Sequence, residues 1–282
     1  MNIIQALVLG IIQGLTEFLP VSSSGHLIFI PKLLGWVDQG IAFDVVVHLG
    51  TLVAVVIFFR KRLYNILKSF FIKDESGIWN LEYGNPNSKF KIQNFKLGWL
   101  IMLTIIPAGL AGFFFNDWIE TNLRATWIIG VSMIGWGVVL GIADRYQRLK
   151  IKDQRSLEKI GWKSALFIGC SQMIALIPGT SRSGITMTAG LFSKLDKKSA
   201  AEFSFLISIP IIAMAGAMEL IKLIKIGLGD LSILVLIVGL LASALSGLLA
   251  IWGLMKIIQK WSFIPFVIYR VVLGVLILIL LK

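Results

Sequence analysis

This chain of 282 residues is poorest in sulfur ligands and charge. It holds one cysteine, Cys170, which excludes an intramolecular disulfide framework and any zinc site built from cysteines. Charged residues make up 15% against 57% hydrophobic, and the mean hydropathy of +0.86 lies far outside the range of a soluble globular domain. The N-terminus lacks a basic region followed by a small-residue cleavage site, which argues against a removable signal peptide. There is no long polar stretch either. Lys73 to Lys96 is too short for a domain, and its turn signals Gly84, Asn85 and Pro86 predict a loop. The formal net charge of +12 does not point to nucleic acid, because the Lys and Arg fall between apolar runs and form no basic face interleaved with aromatics. The expectation is an all-α, polytopic membrane protein forming a single integral domain over 1–282, with membrane lipid and not nucleic acid as its surroundings.

A spanning helix needs about 20 apolar residues. Six stretches qualify: Ala42 to Phe59, Leu97 to Phe115, Ala125 to Ala143, Phe203 to Ile221, Ser232 to Leu254 and Phe263 to Leu281. Two further segments are apolar but interrupted, and they repeat one another. Ala6 to His26 and Ala165 to Ile185 match at Ala6/Ala165, Leu7/Leu166, Gly10/Gly169, Gln13/Gln172, Ser22/Ser181, Ser24/Ser183 and Gly25/Gly184, with Pro20 and Pro178 slipped by one place. Each is a short apolar run, then Pro, Ser and Gly, then a second short run. That pattern predicts a re-entrant helix hairpin, tolerated at depth only where protein or a watery cavity surrounds the turn. Each half is then one hairpin plus three spans, repeat 1 over about 1–143 and repeat 2 over about 162–282. An odd number of spans inverts one half relative to the other.

Basic residues mark the sides. Residues 60–96 and 144–163 are rich in Lys and Arg, whereas the opposite connections carry few, so both are read as cytoplasmic loops. The first hairpin then faces outward and the second enters from the cytoplasm.

Polar residues in these turns carry the chemistry. Gln13 and Glu17, four apart, share a helix face leading into Pro20, Val21, Ser22, Ser23, Ser24, Gly25 and His26. A helix starting at such a serine presents free N–H groups and a positive dipole end, an anion site. Glu17 supplies a carboxylate, His26 an acid/base, and Ser22 or Ser23 a hydroxyl. In the second turn, Gly179, Thr180, Ser181, Arg182, Ser183, Gly184 and Thr186 repeat the pattern, with Arg182 in the place of Ser23 and suited to gripping phosphate oxygens. Keeping Glu17, His26 and Arg182 in the bilayer costs at least about 2.5 to 3.5 kcal/mol each, which argues for use, although a Glu17–Arg182 salt bridge would be a structural reason. Arg270, in the last span, is either a further phosphate or metal-site partner or a snorkelling or Glu219-paired residue. His48, Asp44 and Glu202 sit near span ends and are read as interfacial. Two anion-seeking turns fit a diphosphate on a lipid tail.

Gln13-Gly14-Leu15-Thr16-Glu17-Phe18-Leu19-Pro20-Val21-Ser22-Ser23-Ser24-Gly25-His26 resembles the first signature of the undecaprenyl-diphosphate phosphatases, the bacitracin-resistance family, and Pro178-Gly179-Thr180-Ser181-Arg182-Ser183-Gly184-Ile185-Thr186 resembles the second. The resemblance covers essentially the whole chain, including Phe203 to Pro210 and Pro265 to Arg270. Gln13 is the variable point, since many members carry Glu there. The resemblance implies hydrolysis of undecaprenyl diphosphate to undecaprenyl phosphate and inorganic phosphate, and with it carrier-lipid recycling for the cell wall and bacitracin resistance. It implies a bacterial cytoplasmic membrane location, an extracytoplasmic active site, and a divalent cation, Mg²⁺ with Ca²⁺ as the other candidate, held at Glu17. Glu17, Ser23, His26 and Arg182 are the expected catalytic set, with Glu17 also able to orient His26. Gln13, Ser22, Ser24, Gly25, Gly179, Thr180, Ser181, Ser183, Thr186 and Arg270 are expected around the substrate, which extends to other prenyl diphosphates. The inverted repeat also suits a polyprenyl-phosphate transporter, the alternative reading. The sequence leaves the oligomeric state open, a homodimer included.

Overall fold

A computed structural model describes residues 1–71, 86–123, 125–151, 153–226 and 232–281. Among them the chain is helical throughout: α1 (Ile3–Phe18), α2 (Ser23–Leu33), α3 (Gly40–Phe58), α4 (Arg60–Phe71), α5 (Pro86–Asn122), α6 (Thr126–Lys150), α7 (Trp162–Ile174), α8 (Arg182–Phe192), α9 (Lys197–Ile226), α10 (Ile233–Ile257) and α11 (Ile264–Leu280). Five are long and apolar enough to cross a membrane, through Gly40–Phe58, Phe90–Phe115, Thr126–Leu149, Lys197–Ile221 and Ile233–Ile257. This is a multi-pass membrane protein. The sixth expected span is α11, which has 17 residues, about 25 Å at 1.5 Å per residue. Pro265 sits in its first turn, the position where a missing N–H costs nothing.

Residues 60–96 are not one loop. Arg60–Phe71 folds into α4, which buries Ile66 and Ser69 and leaves most of its basic residues outward, and α5 begins at Pro86, the residue read as a turn signal. Residues 72–85, with Lys73, Gly84 and Asn85, lie outside the described residues. Likewise α6 continues to Lys150 through the first part of the other expected loop, and a single 3-10 turn, Leu157–Lys159, follows. Helix hydrogen bonding does not stop where the apolar run stops.

The duplicated segments form α1–α2 and α7–α8. Their helices have 16, 11, 13 and 11 residues, about 24, 17, 20 and 17 Å, all short of a hydrocarbon core of about 30 Å. Packing partners are exchanged between the halves: α1 lies on α10 and α7 on α5, while α6 pairs with α11 and α3 with α9. The matched glycines explain the close approach. A Cβ on Gly10 would stand 2.7 Å from the Gly239 carbonyl, and one on Gly169 would stand 2.7 Å from Thr104 Cα. Gly14 sits so close to Ser243 and Ser246 that a side chain there would collide with α10. Small residues at helix crossings are the usual route to tight packing where lipid removes the hydrophobic drive. Phe18 of α1 meets Phe205 of α9 edge-on at 5.5 Å inside the main core.

Candidate active site

Both elbows turn in the same way. Ser22 has φ 75° and ψ 93°, and its repeat partner Ser181 has φ 73° and ψ 109°, a left-handed backbone unusual for a residue with a side chain. Holding such a conformation costs about 1–3 kcal/mol. Each serine caps the helix that follows: Ser22 Oγ accepts from Gly25 N at 3.4 Å and Ser181 Oγ from Gly184 N at 3.1 Å. The Ser22 and Ser24 hydroxyls lie 3.4 Å apart, and those of Ser181 and Ser183 lie 3.3 Å apart. Gly179, with φ 88°, leaves no room for a Cβ beside the Ile129 carbonyl, 2.5 Å away.

The two turns are tied to each other. Ser183 Oγ donates to the Leu19 carbonyl at 3.0 Å, and Gly179 N donates to Ser24 Oγ at 3.4 Å. Arg270 of α11 does most of the joining and is fully buried. Its Nη1 donates to the Pro20 carbonyl at 3.3 Å, and its Nη2 to the carbonyls of Gly179 at 3.2 Å and Thr180 at 2.8 Å, while Nε donates to Met133 at 3.1 Å. Arg270 is therefore spent on main-chain oxygens of both elbows and of α6, neither snorkelling nor paired with Glu219. Turns in an apolar setting leave carbonyls that only such a donor can satisfy.

Glu17 gathers the other groups. Its Oε2 accepts from Ser23 Oγ at 2.7 Å and from Gln13 Nε2 at 3.1 Å, and its Oε1 accepts from Arg182 Nη2 at 2.7 Å. Gln13 and Glu17 thus share the predicted face of α1, and the Glu17–Arg182 pair forms directly. Arg182 Nη1 also reaches the Ser204 carbonyl of α9 at 3.4 Å, and Thr186 Oγ1 lies 2.7 Å from Ser204 Oγ, which fixes the first turn of α8 against α9. Glu17 and Gln13 are buried, whereas Ser23 and Arg182 are partly open and Ser24 is exposed. His48 of α3, read as interfacial, brings Nε2 to 3.9 Å from Glu17 Oε2.

His26 lies apart from this group. Its Nδ1 is 2.7 Å from the Ser22 carbonyl, which can only accept, so in the neutral ring Nε2 accepts from Tyr269 Oη at 2.6 Å. The two rings are parallel, with centroids 5.6 Å apart. Glu17 does not orient His26, contrary to expectation. The ring sits one helical turn after Ser22 and folds back on the Ser22 carbonyl, which also accepts the His26 main-chain N–H at 3.4 Å. Tyr269 was missed because nothing in the local sequence pairs it with a histidine 243 positions away.

Among the described residues no three of His, Cys, Asp and Glu converge to hold a metal. Oxygen donors are nonetheless present, since Gln13 Oε1 is buried without a hydrogen-bond partner beside the Glu17 carboxylate. One carboxylate, one amide oxygen and remaining positions filled by water or phosphate oxygens is an arrangement Mg²⁺ accepts.

The model of the family described as bacitracin resistance protein BacA matches residues 6–276. The chain is 47% identical over 277 residues to Undecaprenyl-diphosphatase 1 of Pseudoalteromonas translucida (strain TAC 125), covering 98% of this chain and 97% of that one. It is 43% identical over 282 residues to Undecaprenyl-diphosphatase 2 of Stutzerimonas stutzeri (strain A1501), covering 99% and 98%. Against the Undecaprenyl-diphosphatase of Hahella chejuensis (strain KCTC 2396) the identity is 46% over 274 residues, covering 97% and 96%.

Proposed function

Since this chain belongs to the bacitracin resistance protein BacA family, whose compared members are named undecaprenyl-diphosphatase, we propose that it hydrolyses undecaprenyl diphosphate to undecaprenyl phosphate and inorganic phosphate. The relatives' names favour hydrolysis over transport. The observation that carries the reading to particular residues is the contact of Ser23, Glu17 and Arg182 drawn from two separate turns.

Ser23 is the nucleophile. Its hydroxyl already donates to Glu17, which orients Oγ and takes up its proton as it attacks the terminal phosphorus. The bond to the bridging oxygen breaks, undecaprenyl phosphate leaves, and water then releases phosphate from the serine. Arg182 uses two of its N–H groups on Glu17 and Ser204, and its remaining donors face developing charge on the phosphoryl oxygens. The helix starts at Ser22 and Ser181 add oriented N–H groups for the two phosphates. His26 keeps its single neutral-ring proton on Nδ1 against the Ser22 carbonyl, so it supplies a proton to the leaving oxygen as the imidazolium, from Nε2–H once that bond has turned from Tyr269. Glu17 and Gln13 would hold the divalent cation, Mg²⁺ before Ca²⁺, which when bound neutralises diphosphate charge.

Two matched hairpins too short to span, together with the exchanged packing of α1 and α7, support an inverted repeat of re-entrant hairpins in the bacterial cytoplasmic membrane. The site then opens to the extracytoplasmic side, opposite the basic segments. Other prenyl diphosphates fit the same chemistry, because recognition rests on the diphosphate. The test is phosphate release from undecaprenyl or farnesyl diphosphate by the purified chain in detergent with Mg²⁺, wild type against Glu17→Ala, His26→Ala and Arg182→Ala. Collapse in all three supports one shared site; no release by folded wild type defeats the reading.

A further inference from the structure

The histidine that the proposed chemistry leaves unused, His48, stands beside Glu17. Its Nδ1 lies 2.7 Å from the main-chain carbonyl of Asp44, an acceptor only, so in the neutral ring Nδ1 carries the proton and Nε2 presents a lone pair. That lone pair faces Glu17 Oε2 at 3.9 Å, too far for a hydrogen bond. A ring whose far N–H is anchored on a carbonyl while its near nitrogen points at a carboxylate is the arrangement that orients histidine toward a metal ion.

Spacing agrees with this. Ligands about 2.1 Å from one cation stand about 3 Å apart at a right angle and about 4 Å apart when opposed. Around Glu17 Oε2, the Gln13 amide terminus is at 3.1 Å and His48 Nε2 at 3.9 Å. Turning the amide over would put the orphaned Oε1 in the place of Nε2, an exchange that needs no new space. Arg182 occupies the other carboxylate oxygen, and Ser23 Oγ takes one lone pair of Oε2 at 2.7 Å, which leaves the second lone pair for an ion once the amide has turned. His26, the chain's other histidine, has both nitrogens engaged. The His48 side chain is 37% exposed, which gives an ion a way in.

We infer that His48 is a third protein ligand of the divalent cation, with Glu17 Oε2 and Gln13 Oε1, supplying a nitrogen donor on the side of the carboxylate away from Arg182. This rests on the metal requirement of the proposed hydrolase and deepens it. Imidazole raises affinity for Mn²⁺ relative to Mg²⁺, which prefers oxygen alone.

The test uses Mn²⁺ alone, added to the purified full chain in detergent, with binding read by electron paramagnetic resonance and nitrogen ligation by electron spin-echo modulation. Wild type is expected to give modulation from one imidazole, kept in His26→Gln and lost in His48→Gln. Mn²⁺ affinity falls roughly tenfold or more in His48→Gln, and Glu17→Gln removes the site. His48→Gln keeps the side chain's size, and monodispersity by gel filtration checks that it folds. Modulation that persists in His48→Gln, bound Mn²⁺ without nitrogen modulation, or no Mn²⁺ binding by wild type overturns the inference. Phosphate release is followed separately: its absence alongside an intact nitrogen signal removes the hydrolytic reading and leaves the His48 ligand standing.

Discussion

Glu17 and Arg182, 165 residues apart, meet at 2.7 Å, each from a different copy of a duplicated hairpin. Arg182 stands where the first copy has Ser23, and both contact the same carboxylate through different oxygens. The repeat has thus delivered a cation and a hydroxyl to one acid, and neither hairpin alone holds the set.

Arg182→Lys should fail nearly as badly as Arg182→Ala. A lysine's three N–H groups all leave one nitrogen, so it lacks the planar fork by which Arg182 reaches Glu17 and the Ser204 carbonyl from two separate nitrogens with donors left for a phosphoryl oxygen. We expect kcat/KM to fall about 100-fold or more in both, measured by phosphate release.

Ser23→Ala should abolish turnover while prenyl diphosphate still binds, because the hydroxyl contributes to attack and little to affinity. Rapid quench with terminally labelled substrate should trap label on wild type and none on the variant. Unlabelled wild type under burst conditions would point to water as the nucleophile.

Tyr269→Phe removes the hydroxyl on His26 Nε2 and leaves the stacked ring in place. The expected result is a fall in kcat of about tenfold with KM little changed, smaller than for His26→Ala, where about 100-fold or more is at stake. An equal loss in both would make Tyr269 a proton donor in its own right.

Arg270→Gln should act on stability first. It leaves buried carbonyls of Pro20, Gly179 and Thr180 short of donors, each worth about 1–3 kcal/mol. Thermal unfolding in detergent should drop by well over what Arg182→Ala costs, and activity should be lost with it.

At Ser181, glycine and alanine should part company. Glycine relieves the left-handed backbone and loses only a few tenths of a kcal/mol of capping, whereas alanine keeps the strain and loses about 1 kcal/mol. A more stable Ser181→Ala would contradict the capping geometry.

The helix breaks between α1 and α2 and between α7 and α8 were legible because Pro, Ser and Gly interrupt apolar runs at matched positions, and Gln13 and Glu17 because four residues make one helical turn. In the sequence the Glu17–Arg182 pair is legible only as the structural alternative to a functional use, and the structure forms it. His48 and Tyr269 were not legible as site residues. Their roles depend on how α3 and α11 rotate about their axes, which is set by small-residue contacts such as Gly50 with Ser243 and Gly274 with Ile134 and Gly130. The fate of Arg270 was equally hidden: an intramembrane arginine reads as a phosphate or metal-site partner or as a snorkelling or paired charge, and sequence gives no count of the carbonyls that a turn will strand. Helix α4 was taken for loop because its charge masks a narrow apolar stripe.

The Arg270 bond pattern makes α11 and α6, the last helices of the two halves, unlike. On α11 it is a peg; on the facing α6, Gly137 is the socket, with a Cβ there only 3.1 Å from Arg270 Cβ. A chain assembled from two second halves would bring two pegs to that crossing, and one from two first halves would bring two sockets. The halves have become unlike parts of one lock, and swapping them should not yield a working molecule.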